Sequence, residues 1–210
     1  METVIDHIVV VAPRLDVGAA FVNLALGVDL QPGGAHPRMA THNLLLRLGD
    51  STYLEVIAPD PSAARPSRPR WFDLDNLAAD SPPRLAAWVV RIDDIYSARF
   101  SCSSILGDIL TMSRGHLSWQ ITVPADGSLP LGGAAPALIE WQVTPHPARA
   151  LKDRGCSLTS LEIFHPEPLR VQTVLEAVKL AAPVSLRQLS SGAKPYLVAR
   201  VKTPRGHCTL

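Results

Sequence analysis

His7 interrupts the apolar stretch Val4-Ile5-Asp6-His7-Ile8-Val9-Val10-Val11, Glu55 the stretch Tyr53-Leu54-Glu55-Val56-Ile57, and Glu140 the stretch Ala137-Leu138-Ile139-Glu140-Trp141. A charge set among aliphatic neighbours is costly unless it is paired, hydrated or metal-bound, so each of these groups needs a partner that a polar cleft would supply. Side chains alternate along a strand, which places His7 with Ile5, Val9 and Val11, Glu55 with Tyr53 and Ile57, and Glu140 with Leu138 and Gln142. The plainer reading stands beside this one: a strand histidine is often a hydrogen-bonded structural residue, and a strand-edge glutamate is often solvated or paired with arginine.

Other residues could join such a cleft. His116 opens a run in which Ser118, Gln120 and Thr122 share its face, while Leu117, Trp119, Ile121 and Val123 take the other. The polar face is either cleft lining or solvent side, and in the cleft His116 would be a replacement ligand or a general base. His36 lies in Gly33-Gly34-Ala35-His36-Pro37, where glycines let the backbone turn sharply and approach a ligand. His42 shares a face with Leu44, Leu46 and Leu48 and reads as a packed histidine. Arg91 can pair with Glu140 or with a substrate carboxylate, or serve as a structural ion pair at a strand end. Trp88, Trp119, Trp141 and Tyr53 offer stacking surface. Cys102, Cys156 and Cys208 have no companion at useful spacing and read as inert thiols.

The elements that would position these residues follow from periodicity. Residues 4–12 form a buried strand, and 16–27 a helix with Asp16 able to cap its start and Gly27 able to end it. A short strand at 28–32, a loop at 33–38 and a hairpin of 41–48 and 52–58 around Gly49-Asp50-Ser51 complete a β-α-β-β-β order. Residues 59–84 carry six of the 19 prolines and form a long connection, with a helical turn near 71–79, that covers the cleft or bridges modules. The order restarts with a strand at 86–92, a helix over 95–106, and strands at 109–113, 116–123 and 137–143, offset by about 80 residues. The last unit reads as β-α-β-β: a strand at 158–164, a helix over 168–181, and strands at 184–190 and 196–202.

The composition allows ample burial, with 47% hydrophobic and 19% charged residues. A net charge of +1 without a basic stripe argues against nucleic-acid binding. Three widely spaced cysteines give no disulfide framework. Neither a membrane-length apolar run nor a leader sequence is evident, so a cytoplasmic location and no membrane partner are expected. No dinucleotide fingerprint, phosphate-binding loop, nucleophile elbow or zincin motif occurs.

Asp6-His7-Ile8-Val9-Val10 opening a module, Gly33-Gly34-x-His36, Thr41-x-Asn43, Tyr53-Leu54-Glu55 and the closing Thr203-Pro204-x-Gly206 together resemble the glyoxalase-like domain proteins of the vicinal-oxygen-chelate superfamily. The resemblance is strongest over residues 4–60, and the order of elements extends it to about residue 143. It implies an α+β fold of paired βαβββ modules curling around one cleft, with the C-terminal βαββ unit appended. Residues 1–82, 83–150 and 151–210 would be the three units of one compact domain.

In metal-using members the first and last strands of each module supply ligands. His7, Glu55 and Glu140 match such positions, while Ala87 occupies the fourth and departs from the pattern. One imidazole and two carboxylates would suit a divalent metal such as Fe, Mn, Zn or Ni. The resemblance further carries Glu55 and Glu140 as catalytic groups and His36 and Asn43 as substrate contacts, and the strand readings above add His116 as a catalytic candidate and Arg91 and Tyr53 as substrate contacts. Ala40 stands where the family motif has glycine. Two functions remain open at this point. One is a metal-dependent lyase, isomerase or dioxygenase. The other is a metal-free protein that binds a small organic molecule, catalytically or by sequestration. A homodimer is expected from fold analogy alone.

Overall fold

The computed structural model describes residues 3–100, 102–182 and 184–210. In the first module, β1 (Val4–Val11) leads into α1 (Leu15–Leu26), then β2 (Gln31–His36), β3 (Thr41–Arg47) and β4 (Tyr53–Pro59). Gly27 ends α1 in the left-handed conformation, as its position suggests. Asp16 lies in the first turn and pairs with Arg14, rather than capping the helix. The expected loop at 33–38 is instead mostly strand: β2 runs through Gly33 and Gly34 to His36, pairing antiparallel with β3 across a register shift between Pro32 and Gly34.

The second module follows as β5 (Arg84–Arg91), α2 (Ile95–Phe100), α3 (Ser103–Leu106), β6 (Asp108–Arg114), β7 (Leu117–Val123) and β8 (Ala137–Trp141). Of the single helix expected over 95–106, the described residues form two short ones, Ile95–Phe100 and Ser103–Leu106, and residue 101 between them lies outside the described residues. All eight strands join one sheet in the order β2-β3-β4-β1-β5-β8-β7-β6. The order reads the same from its centre outwards: β1 and β5 meet antiparallel, and each has its own module's last strand as outer neighbour, in parallel. The sheet curls until its edges approach, where Arg38, in the turn that follows β2, donates to the Thr111 carbonyl of β6 at 2.8 Å.

Two β-bulges flank that centre. Ile5 pairs with Val90 and His7 with Val89, so Asp6 is the extra residue on β1; Val9 pairs with Ala87 and Val10 with Leu85, so Ala86 is the extra residue on β5. Bulges re-aim the side chains around them. Ile5, Ile8 and Val10 therefore face the convex side, while Val9 and Val11 face the concave side, and the face sharing expected between Ile5 and His7 fails.

The convex side is packed by α1 and by a second sheet, made of β9 (Ser157–His165), β10 (Val184–Gln188), β11 (Tyr196–Thr203) and β12 (Gly206–Thr209), with α4 (Pro168–Ala177) between β9 and β10. The C-terminal unit thus has five elements: Thr203-Pro204-Arg205-Gly206 is the turn of a hairpin into β12, a strand beyond the expected β-α-β-β. Its strand order, β10-β9-β11-β12, differs from that of the first module, and it contributes Leu161, Ile163, Leu197, Ala199 and Val201 to the convex core. The concave side is filled from the proline-rich connection, whose Trp71, Phe72 and Leu74 pack on Val9, Ile57 and Ile139. Among the described residues no helix is long and apolar enough to cross a membrane.

Candidate functional site

His7 is buried on the concave side, and its surroundings are set by the bulge at Asp6. In an unbroken strand Asp6 would point to the convex core. Instead its carboxylate lies 2.7 Å from His7 Nδ1, 2.8 Å from His146 Nε2 and 2.9 Å from the Trp141 indole nitrogen, which donates to it. Burial alone would raise the Asp6 carboxyl, but the hydrogen bonds from His146 and His7 outweigh it and hold the group well below the usual carboxylate range. An ionised Asp6 can only accept, so the facing nitrogens of both imidazoles carry protons. His146 fits this tautomer, because its Nδ1 accepts from the Ala148 backbone N–H at 3.2 Å. The second nitrogen of His7 is left facing the cleft.

Across from it stands Glu55, with Oε2 3.6 Å from His7 Nε2. The other oxygen, Oε1, accepts from Asn43 Nδ2 at 2.5 Å. Asn43 is fixed in turn by its own carbonyl, which accepts from the Gly34 N–H at 2.9 Å and from Arg114 at 3.2 Å. Gly33 is required here: a Cβ on it would lie 2.0 Å from Asn43 Oδ1. The glycines of this segment let the backbone approach Asn43, where the sequence suggested approach to a ligand.

His36 is buried beside Asn43. Its Nε2 lies 3.3 Å from the Arg114 guanidinium and its Nδ1 3.1 Å from Thr41 Oγ1. Burial lowers the imidazole to about 4; the Glu55 carboxylate opposes that shift and the Arg114 charge adds to it. His36 is thus neutral near pH 7, accepting from Arg114 and donating to Thr41. Tyr53 stacks on His7 with ring centroids 4.5 Å apart, and burial, reinforced by the Asp6 and Glu55 charges, raises its phenol well above the ordinary value.

These polar groups open on a cavity of about 20 Å³, room for about one water molecule. Trp71, Trp119, Ile121, Ile139 and Trp141 wall it on the other side. The Trp71 indole nitrogen is buried with no hydrogen-bond partner among the described residues. A buried, unsatisfied N–H carries a desolvation cost that an acceptor on a ligand would relieve.

The structure brings together His7, Glu55, Asn43, His36 and Tyr53, and parts them from three other expected residues. Glu140 lies on the convex face of β8, its oxygens taken by the Ile95 backbone N–H at 3.0 Å and by Gln142 at 2.9 Å. Alternation along β8 turns Ile139 and Trp141 to the cleft and Glu140 away from it. His116 is exposed in the Gly115-His116 turn between β6 and β7, because the cleft-lining face of β7 is the apolar one carrying Trp119 and Ile121. Arg91 lies outside the cleft: it donates to the Ser51 carbonyl at 3.2 Å and stands 3.6 Å from Asp6, not on Glu140. Of the aromatic residues, Trp88 is buried in the convex core, donating to the Ala134 carbonyl. His42 is half-buried outside the cleft lining, as a packed histidine should be.

The residues present do not fit a four-ligand divalent metal. His7 and Glu55 are spaced as two ligands of one ion could be, but one Glu55 oxygen is committed to Asn43. The positions in the second module that correspond to His7 and Glu55 are both alanine: Ala87 by strand alignment, and Ala137 because it pairs with Val89 as Glu55 pairs with Val9. Among the described residues no group of three or more His, Cys, Asp or Glu side chains is arranged to hold a metal.

Asp6, Arg114, His146 and Trp71 are the cleft and support residues that sequence reasoning missed. Alternation assigns Asp6 to the wrong face, and the other three reach the site from distant segments. Only the proline-rich connection, expected to cover the cleft, hinted at Trp71.

The fold has counterparts among solved structures. A hypothetical protein from Staphylococcus aureus matches with a TM-score of 0.58 at 14% identity, over 85% of this chain and 75% of that one. Methylmalonyl-CoA epimerase in complex with methylmalonyl-CoA and NH4+ matches with a TM-score of 0.47 at 17% identity, over 70% of this chain and 100% of that one. The epimerase from Mycobacterium tuberculosis matches with a TM-score of 0.43 at 16% identity, over 67% and 88%. No protein of curated function matches by sequence. The family model of the glyoxalase-like domain matches residues 5–179. That span takes in both modules with every strand of the cleft, and the chain belongs to the glyoxalase-like domain family.

Proposed function

We propose that this chain takes a small oxygen-bearing organic molecule into the cleft and moves a proton on it with Glu55 and His7, without a divalent metal. The observation that carries this reading is the facing pair itself: two proton acceptors 3.6 Å apart, each held by a separate partner, Asp6 behind His7 and Asn43 behind Glu55. Such positioned groups suit removal and return of a proton on a carbon beside a carbonyl. Glu55 Oε2 takes the proton, the electron pair moves to the ligand oxygen, and the Trp71 N–H donates to that oxygen. Return of the proton from Glu55 to the same carbon gives hydrogen exchange, and return to the neighbouring carbon, with the hydroxyl proton passing through His7 Nε2 to the former carbonyl oxygen, completes an isomerisation.

The cavity admits about one water, so a larger ligand requires its lining side chains to rearrange, Trp71 and Phe72 of the connection among them. A second reading, binding without chemistry, is favoured by the tryptophan wall, which would hold a hydroxylated or aromatic guest equally well.

The test is exchange of carbon-bound hydrogen. Purified protein, analysed for bound metal, is incubated in D2O with hydroxyacetone and related α-hydroxy ketones and followed by proton NMR. The expected result is exchange that survives a chelator and falls about 100-fold in Glu55→Gln. Exchange that requires added metal, or that ignores Glu55→Gln, overturns the reading. Tight ligand binding with no exchange selects the binding role instead.

A further inference from the structure

We propose that a second cavity, beyond the cleft at the end of the strands, binds a small organic carboxylate whose apolar body rests on Trp141. It measures about 320 Å³, against about 20 Å³ for the cleft, and is of a size that small-molecule sites reach. Its walls come from the end of β5, the end of β8 and the segment that follows β8.

Ile92, Trp141, Val143 and Pro145 are apolar residues of its lining, and Arg91 and Arg149 line it as well. Trp141 is the one residue that lines both cavities. Its indole nitrogen is tied to Asp6, which fixes the ring between them.

The state of the charged groups selects the ligand. Of the carboxylates, Glu140 has both oxygens engaged, and Asp6 behind the wall accepts three N–H groups. Asp93 also lines the cavity and is itself engaged. His146 offers no open donor, since Nε2 serves Asp6 and Nδ1 accepts from Ala148. The open donors belong to the arginines. Arg91 makes one hydrogen bond of 3.2 Å, to a neutral carbonyl, and its contact with Asp6 is no closer than 3.6 Å. Arg149 is exposed. A planar guanidinium with free N–H groups beside an apolar floor is matched by a carboxylate on a ring or short hydrocarbon, which can accept from the fork while its body covers the floor.

The inference is independent of the chemistry assigned to the cleft, and its test is arranged to keep the two apart. The full chain is titrated with benzoate and, as the uncharged control of the same shape, with benzamide, by calorimetry and by the indole N–H signals in NMR. Benzoate is expected to bind at least about tenfold more tightly than benzamide and to shift the Trp141 signal. Arg149→Gln, at an exposed position that the fold does not depend on, is expected to weaken benzoate about tenfold, and Arg91→Gln likewise. Trp71→Phe, at a residue that lines the cleft and not this cavity, is expected to leave benzoate affinity unchanged. Equal affinity for benzamide, indifference to Arg149→Gln, or loss of binding in Trp71→Phe each overturns the proposal. Failure of the cleft exchange assay leaves these titrations unaffected, so the two readings stand or fall separately.

Discussion

Asp6 shows how much of the site rests on one side chain. Three N–H groups converge on a carboxylate that is fully buried, and removing its charge leaves donors facing an amide that can satisfy them only in part. Asp6→Asn is therefore expected to lower stability by about 3 kcal/mol, read by denaturant unfolding. A loss below about 1 kcal/mol would mean that the convergence carries little energy.

His36 has a separate signature in pH. Its folded pKa of about 4 lies below the unfolded value near 6.5, so below pH 6.5 the unfolded chain takes up a proton that the folded chain refuses. Stability present above pH 6.5 is thus lost as pH falls to about 4, by about 3 kcal/mol in total for this buried group. His36→Gln is expected to flatten the unfolding free energy over that window, and an unchanged slope would place the titration elsewhere. His7, Glu55, Asn43, His36 and Tyr53 were legible as neighbours in one cleft because strand motifs of the first module name them. Asp6 was not, since period-two alternation is valid only where no bulge intervenes.

At the scale of elements, the β2–β3 pair carries His36 and the Asn43 that holds Glu55, and its spacing depends on glycine. A methyl on Gly33 meets Asn43 Oδ1 at 2.0 Å, and the amide must swing away, releasing both Glu55 Oε1 and the contact with Arg114. Gly33→Ala is expected to destabilise by about 2 kcal/mol and to remove cleft exchange activity, measured by unfolding and by the same D2O assay. A variant of wild-type stability with full exchange would show that Asn43 is free to move without consequence.

Most strands were readable from periodicity, β12 excepted, whereas the face each residue takes was not. Glu140 sits in a real strand, yet one step of alternation sends it to the back of the sheet, where it holds the Ile95 N–H at the start of α2. The same limit applies to His116, whose run was identified correctly but whose apolar face proved to be the cleft face. Ala40 was flagged by its departure from the family motif, and it adopts the left-handed conformation, φ 47°, that glycine accepts most easily.

At the scale of the whole molecule, the paired modules are symmetric in backbone and asymmetric in chemistry. Each central strand has a bulge, and the two bulged pairs are Asp6-His7 on one side and Ala86-Ala87 on the other. The last strands meet the central ones in matching register, yet carry Glu55 in one module and Ala137 in the other. Module order and the alignment of first strands exposed the duplication in the sequence, but the position matching Glu55 emerged only from strand register.

If the fold still holds the geometry of a four-ligand centre and only the side chains are missing, restoring both should create a metal site. Ala87 and Ala137 are buried on the concave side, so Ala87→His with Ala137→Glu crowds the cleft and is expected to cost about 1–3 kcal/mol without metal. Added Ni2+ or Zn2+ should then raise the unfolding midpoint of the double variant in a concentration-dependent way, because an ion that binds only the folded chain stabilises it. The unmodified chain and each single variant should respond more weakly. A double variant that folds but gains nothing from either ion would show that the two halves of the cleft have drifted out of ligand geometry as well as out of ligand chemistry.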